Sequence, residues 1–273
     1  MQWNPEAEAA VKKVPFFVRK KVRARVEKEA RQAGKKRVTL ADVRATQQRY
    51  LDGGMEKEIR GYRLETCFGP GGCANRAIDG SRLAEDLERL LQRADLLDFL
   101  KRSVPGALKF HHEFRVTLAD CPNACSQPQI KDVGIIGAAI PQIGTPNCSG
   151  CEDCIRECRE GAIELAEDPV GPVIDFQRCV SCGRCAAVCP TGALAEDCRG
   201  YRVQLGGKLG RHPRLARELP GIYTAGQVLS IVGDCLRLYK QKSTDGRRFA
   251  EVFSDADFEA FCRKYPATTA VRS

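Results

Sequence analysis

Four cysteines at positions 148, 151, 154 and 158 recur at 179, 182, 185 and 189, every offset being 31 residues. The residues after them repeat too, Gly161-Ala162-Ile163 returning as Gly192-Ala193-Leu194. This duplicated C-x2-C-x2-C-x3-C run constrains the chain more than any other feature. Of its 15 cysteines, 12 fall into closely spaced groups. A disulfide scaffold suits a short secreted chain. This chain has 273 residues, and Met1-Gln2-Trp3-Asn4-Pro5-Glu6 lacks the basic and apolar regions of a secretory leader. Its longest apolar stretch, roughly Val133 to Gly144, falls short of the ~20 residues that span a bilayer. We therefore expect no membrane insertion, a cytoplasmic and reducing compartment, and cysteines that bind metal. Four thiolates suit zinc. They also suit a [4Fe-4S] cube, where three close thiolates take three corners and the displaced fourth ligates the neighbouring cube. Two runs in register favour cubes. Cys148, Cys151, Cys154 and Cys189 are then one ligand set, and Cys158, Cys179, Cys182 and Cys185 the other. Neither cube has a free position for substrate, so the segment reads as a wire for single electrons. It implies an electron donor protein and a sink elsewhere.

Pro190 follows the second run, while Arg159 stands after the first. Over about 50 residues the pattern resembles bacterial two-cluster ferredoxins. A second constellation, Cys67-x5-Cys73 and then Cys121-Pro122-Asn123-Ala124-Cys125, resembles the signature of the sulfite and nitrite reductase family. The resemblance implies a [4Fe-4S] cluster on Cys67, Cys73, Cys121 and Cys125, hence three in all, with Cys125 also bridging to the iron of a sirohaem. Members of the dissimilatory type carry a ferredoxin after the second motif and return with a segment like Gly206-Gly207-Lys208-Leu209-Gly210-Arg211, as here. The implied fold class is α+β: a sulfite-reductase-like α/β module interrupted by a two-cluster ferredoxin-like domain and preceded by a small helical domain. The implied boundaries are 1–52, 55–145, 146–197 and 198–273.

Sirohaem carries several carboxylates, which guanidinium forks bind in two-pronged fashion. The resemblance offers Arg76, Arg115, Lys208 and Arg211 as clamps, with Asn123, Gly206 and Gly207 at the cofactor. The glycine pair also reads as a tight turn. Arg115 and Lys208 are the residues expected to bind a small oxyanion, sulfite or nitrite, and to supply protons. The family has Lys-Phe-Lys before its second motif, and this chain has Glu113-Phe114-Arg115. A carboxylate facing a bound anion would repel it. The family builds its site from two related modules, so a homodimer or a related subunit is expected. Two functions stand: a sirohaem-dependent oxidoreductase, and an iron–sulfur electron-transfer subunit feeding a partner reductase.

Residues 1–60 hold 16 Lys/Arg and 8 Asp/Glu, nearly all of the net charge of +9. Asn4-Pro5 starts one helix, and a second runs from about Pro15 to Ala33 with Val18, Val22, Val26 and Ala30 on one stripe. Thr39-Leu40-Ala41-Asp42 reads as a capping box opening a third, to about Leu51. Trp3, Val11 to Arg23, Glu27, Ala30, Gly34 and Val38-Thr39 resemble the small C-terminal domain found in one of the polypeptides of light-independent protochlorophyllide reductase. That resemblance suggests a lid over the sirohaem. The charge suggests a dock for an acidic donor. Nucleic acid is not expected, since no reading helix or interleaved aromatics accompany the charge. Further on, strands are expected before Cys67 and at Phe114-Leu118, Val133-Ile140 and Tyr201-Leu205. Helices are expected with Ser81 as a cap, in the second part of 222–241 and from Ser254. Cys198, Cys235 and Cys262 have no ligand spacing and receive no role.

Overall fold

The computed structural model describes residues 1–12, 14, 16–49, 59–144, 147–167 and 170–266. The chain divides into two compact units: Met1–Ile59 with Gly106–Phe110, and Arg60–Pro105 with His111–Ser273.

The first unit contains β1 (Gln2–Trp3), α1 (Pro5–Lys12), α2 (Phe16–Gln32), β2 (Arg37–Val38) and α3 (Leu40–Arg49). The valine stripe does what its spacing predicts: Val26 and Ala30 are buried, and Val22 packs against them with Trp3. The side chain of Val18, like Leu51 and the 52–54 linker, lies outside the described residues. The Thr39 box forms, with the Thr39 amide donating to Asp42 Oδ2 at 2.9 Å. Lys35, then the Thr39 amide, hold the Asp42 carboxyl down at about 2. Trp3 Nε1 donates to Glu27 at 2.8 Å, and Arg23 lies 4.5 Å over the indole ring. The unit is not wholly helical, as its sequence suggests. Gln2–Trp3 pairs in parallel with Arg37–Val38, a pairing too short to leave a period in the sequence.

The second unit is built on a five-stranded sheet. Its elements are β3 (Tyr62–Thr66), α4 (Ser81–Arg93), α5 (Leu96–Ser103), β4 (Phe114–Ala119), β5 (Val133–Ile143), α6 (Asp153–Glu157), β6 (Ile163–Glu167), β7 (Val170–Ile174), α7 (Arg184–Val188), β8 (Leu194–Leu205), β9 (Arg217–Glu218), α8 (Ala225–Lys242), α9 (Phe249–Val252) and α10 (Asp255–Lys264). The sheet order is β3-β4-β5-β8-β9, with β3, β4 and β5 parallel and β8 and β9 antiparallel. Leu83, Leu87 and Leu91 bury the inner stripe of α4, each contributing ~1.5–3 kcal/mol of burial. Ser81 is the first helical residue rather than the cap. Gly80 occupies the cap, and Asp79 accepts from the Ser81 amide at 3.0 Å. Thr224 and Ser254 cap α8 and α10 through reciprocal boxes. Cys235 is fully buried on α8, an inert core residue.

β5 and β8 are longer than their sequences suggest. They pair antiparallel from Val133/Leu205 to Ile143/Leu194, with a bulge between Ile140 and Pro141. Proline and the Glu196-Asp197 pair disfavour strands locally. Partner pairing and a bulge accommodate them here. This ribbon carries the duplicated cysteine segment out from the sheet.

Candidate iron–sulfur centres

β3 and β4 are parallel neighbours, so their ends lie side by side. Cys67 follows β3 and donates its amide to Leu118 O at 3.0 Å, and Cys121 stands two residues beyond β4. Parallel pairing therefore brings two motifs, 48 positions apart at their nearest cysteines, into one nest. Cys121 is raised above the ordinary thiol range, first by burial and further by the charges of Cys67, Cys125 and Cys73. Crowded thiolates of this kind call for a cationic core. Cys67 Sγ accepts from the amides of Gly69 and Asp120, both at 3.2 Å, and Cys125 Sγ from Asn123 Nδ2 at 2.9 Å. Such donors stabilise sulfur ligands and tune what they hold. Cys125 is exposed, and Cys67, Cys73 and Cys121 are half-buried.

The duplicated run folds into two further nests with crossed membership. Cys148, Cys151, Cys154 and Cys189 line one cavity with Leu165, Pro172 and Leu194. Cys185 is pushed up to about 12 by burial, reinforced by Cys179, Cys182 and Cys158 around it. The last cysteine of each run thus sits with the other run. Both crossing thiols accept an amide: Cys158 from Ala162 and Cys189 from Leu194, each at 3.3 Å. Among the described residues no three His, Cys, Asp or Glu side chains stand close enough to share a single metal ion. A zinc ion needs its thiolates ~2.3 Å from one centre. A [4Fe-4S] cluster takes one thiolate at each of its four irons.

The other predicted residues take varied places. Arg76 is half-exposed, paired with Asp79 at 3.0 Å, and its amide donates to Cys73 O. Arg115 stands six residues before Cys121, about 20 Å of extended strand away. Its amide donates to Asp132 Oδ2 at 2.9 Å, and its charge lowers the same carboxyl. Burial nevertheless raises Asp132, against the nearby Arg248. Lys208 lies 3.5 Å from Glu251, and Arg211 is exposed. The Gly206 and Gly207 amides are already donated to Asp132 O and Lys131 O, both at 2.9 Å. Gly206 has φ +79°, and a Cβ on Gly207 would lie 2.5 Å from Gln129 O. The turn and the close approach account for both glycines.

Glu113 does not face an open anion site. It is 3% exposed, and its carboxylate accepts from the Arg60 amide at 3.0 Å, with Arg63 at 3.9 Å. It ties the start of β4 to the residues before β3. Sequence reasoning also missed Asp120, a buried carboxylate packed against Gly69 and Gly80. Its position directly before Cys121 was the available signal.

Three nests of thiols on a mixed sheet define the class, an iron–sulfur protein. Residues 62–270 match the family described as nitrite and sulphite reductase 4Fe-4S domain, and residues 3–46 match proto-chlorophyllide reductase 57 kD subunit. The chain belongs to the nitrite and sulphite reductase 4Fe-4S family. It is 32% identical over 145 residues to a coenzyme F420-dependent sulfite reductase of Methanocaldococcus jannaschii, covering 53% of this chain and 21% of that protein. It is 30% identical over 118 residues to the beta polypeptide of a dissimilatory-type sulfite reductase of Archaeoglobus fulgidus, 39% of this chain and 30% of that one. Its N-terminal region is 61% identical over 41 residues to a polypeptide of the light-independent protochlorophyllide reductase of Prochlorococcus marinus, 15% of this chain and 8% of that one. The chain therefore spans less than a third of the length of these relatives. The crystal structure of dissimilatory sulfite reductase I shares its fold at TM-score 0.50 and 16% identity, over 76% of this chain and 52% of that one. Among the described residues no helix is long and apolar enough to cross a membrane.

Proposed function

We propose that the chain is the cluster- and sirohaem-binding part of a sulfite or nitrite reductase, working with a second related module. Three [4Fe-4S] clusters are assigned to the three nests. The observation that carries the sirohaem is the exposure of Cys125, the one exposed thiol of its nest. A bridging thiolate needs such an open side, and Asn123 orients it. When bound, sirohaem supplies an iron that takes the oxyanion and delivers electrons to it. Cys125 would hold that iron. Arg76, Arg115, Lys208 and Arg211 are the cations proposed for its carboxylates and for the anion. Gly206 and Gly207 shape the chain that carries Lys208 and Arg211.

An electron-transfer subunit is the second reading, favoured by the engagement of Arg76 with Asp79 and of Lys208 with Glu251. The two part cleanly in one experiment: anaerobic purification from a host that makes sirohaem, an absorption spectrum, an iron count and solvent extraction of pigment. About twelve cluster irons with extractable sirohaem support the reductase. The same iron without pigment overturns it in favour of the carrier.

A further inference from the structure

The 31-residue repeat pairs positions whose surroundings can be compared one by one. Glu152 corresponds to Gly183, and both are left-handed, at φ 61° and 72°. Asp153 corresponds to Arg184. In the first copy Asp153 pairs, among the described residues, only locally, with Arg156 three residues on. In the second copy the equivalent residue reaches out. Arg184 NH1 donates to Asn75 Oδ1 at 2.6 Å, across 109 positions, while its Nε is taken by Glu157. Asn75 is two residues from Cys73, and Glu157 is next to Cys158. One guanidinium therefore touches a neighbour of a ligand in each of two different nests. The backbone ties the same copy to β5. Ala139 N donates to Ser181 O at 2.8 Å, Ala139 bridges Cys182, and a Cβ on Gly183 would lie 2.6 Å from that of Ala139.

We propose that Arg184 is a positioning residue that locks the Cys158/Cys179/Cys182/Cys185 nest to the Cys73 loop. It makes the second copy the inward half of the segment, and leaves the first copy, with its exposed Cys151, as the outward half. Its fork suits the role, because a planar guanidinium holds two acceptors in fixed relation where an ammonium does not. The inference rests on the reading that the nests hold clusters.

The test uses the full chain, reconstituted anaerobically with iron and sulfide and reduced with dithionite. The EPR spectrum should show spin interaction between the second-copy cluster and the Cys67/Cys73/Cys121/Cys125 cluster. It should persist in Cys151→Ser, which removes the first-copy cluster. Arg184→Ala and Asn75→Ala should each lose that interaction. The double variant should lose no more than either, as expected of two groups in one contact. Amide hydrogen exchange over 181–186 should quicken in both single variants. If Arg184→Ala sheds iron, Asn75→Ala carries the test, because it leaves the Arg184–Glu157 pair in place. An unchanged interaction and unchanged exchange at full iron content overturn the role of Arg184 alone. A wild-type chain that takes up no iron overturns this proposal and the iron–sulfur reading together.

Discussion

Residues 148–158 and 179–189 have the same cysteine spacing, the same short helix and the same crossed partnership, yet they sit in different surroundings. The first copy ends its left-handed turn with Glu152, whose side chain is open to solvent. The second copy requires glycine there, because Ala139 of β5 occupies the space a Cβ would take. The first copy answers Asp153 with Arg156 of its own helix, and the second sends Arg184 to Asn75. Cys151 is exposed, while its counterpart Cys182 is half-buried beside Ala139. Ligand spacing is thus a local property that both copies satisfy. The difference between them comes from what the β5/β8 ribbon places next to one of them.

The largest break in this near-symmetry should follow from exchanging the crossing ligands. Cys158→Ser and Cys189→Ser should each cost about four of twelve irons. Only Cys158→Ser should also abolish EPR interaction with the Cys67/Cys73/Cys121/Cys125 cluster. If Cys189→Ser does so instead, membership is uncrossed. Next comes an exchange of the turn residues. Gly183→Glu drives a side chain into Ala139 and should cost about 1–3 kcal/mol in chemical unfolding, whereas Glu152→Gly should shift it by less than ~1 kcal/mol. Equal effects would mean the two copies share one environment. Chelator should then remove iron in two phases, the faster one belonging to the outward nest and missing in Cys151→Ser. A single phase would erase the inward–outward distinction. The last prediction is a control distant from the repeat. Glu113→Ala should lower stability by ~1–3 kcal/mol through the orphaned Arg60 amide and leave anion affinity unchanged. A gain in sulfite affinity would show that Glu113 faces the site after all.

The periodic elements were legible because their causes are local. The valine stripe of α2 and the Thr39 box each depend on residues within one or two turns. Ser81 was misplaced by one position because Gly80 and Asp79 share the capping task. The ends of β5 and β8 were hidden because Pro141 and Glu196-Asp197 argue against strand until a partner strand is present. The role of Glu113 was illegible for a related reason. Its type and its place before Phe114 suggested an anion-facing charge, and only the parallel register of β3 on β4 brings the Arg60 amide to it.

By itself the sequence determined the spacing of twelve closely grouped thiols, eight of them in two identical runs 31 residues apart. Ligand spacing is set by a few covalent links and survives whatever surrounds it. Only the tertiary structure decided that Cys125 is the open thiol of its nest, that Glu113 is inward, and that the second copy of the repeat is the one joined to the Cys73 loop. Those outcomes depend on contacts such as Arg184 to Asn75, between residues that no local pattern relates.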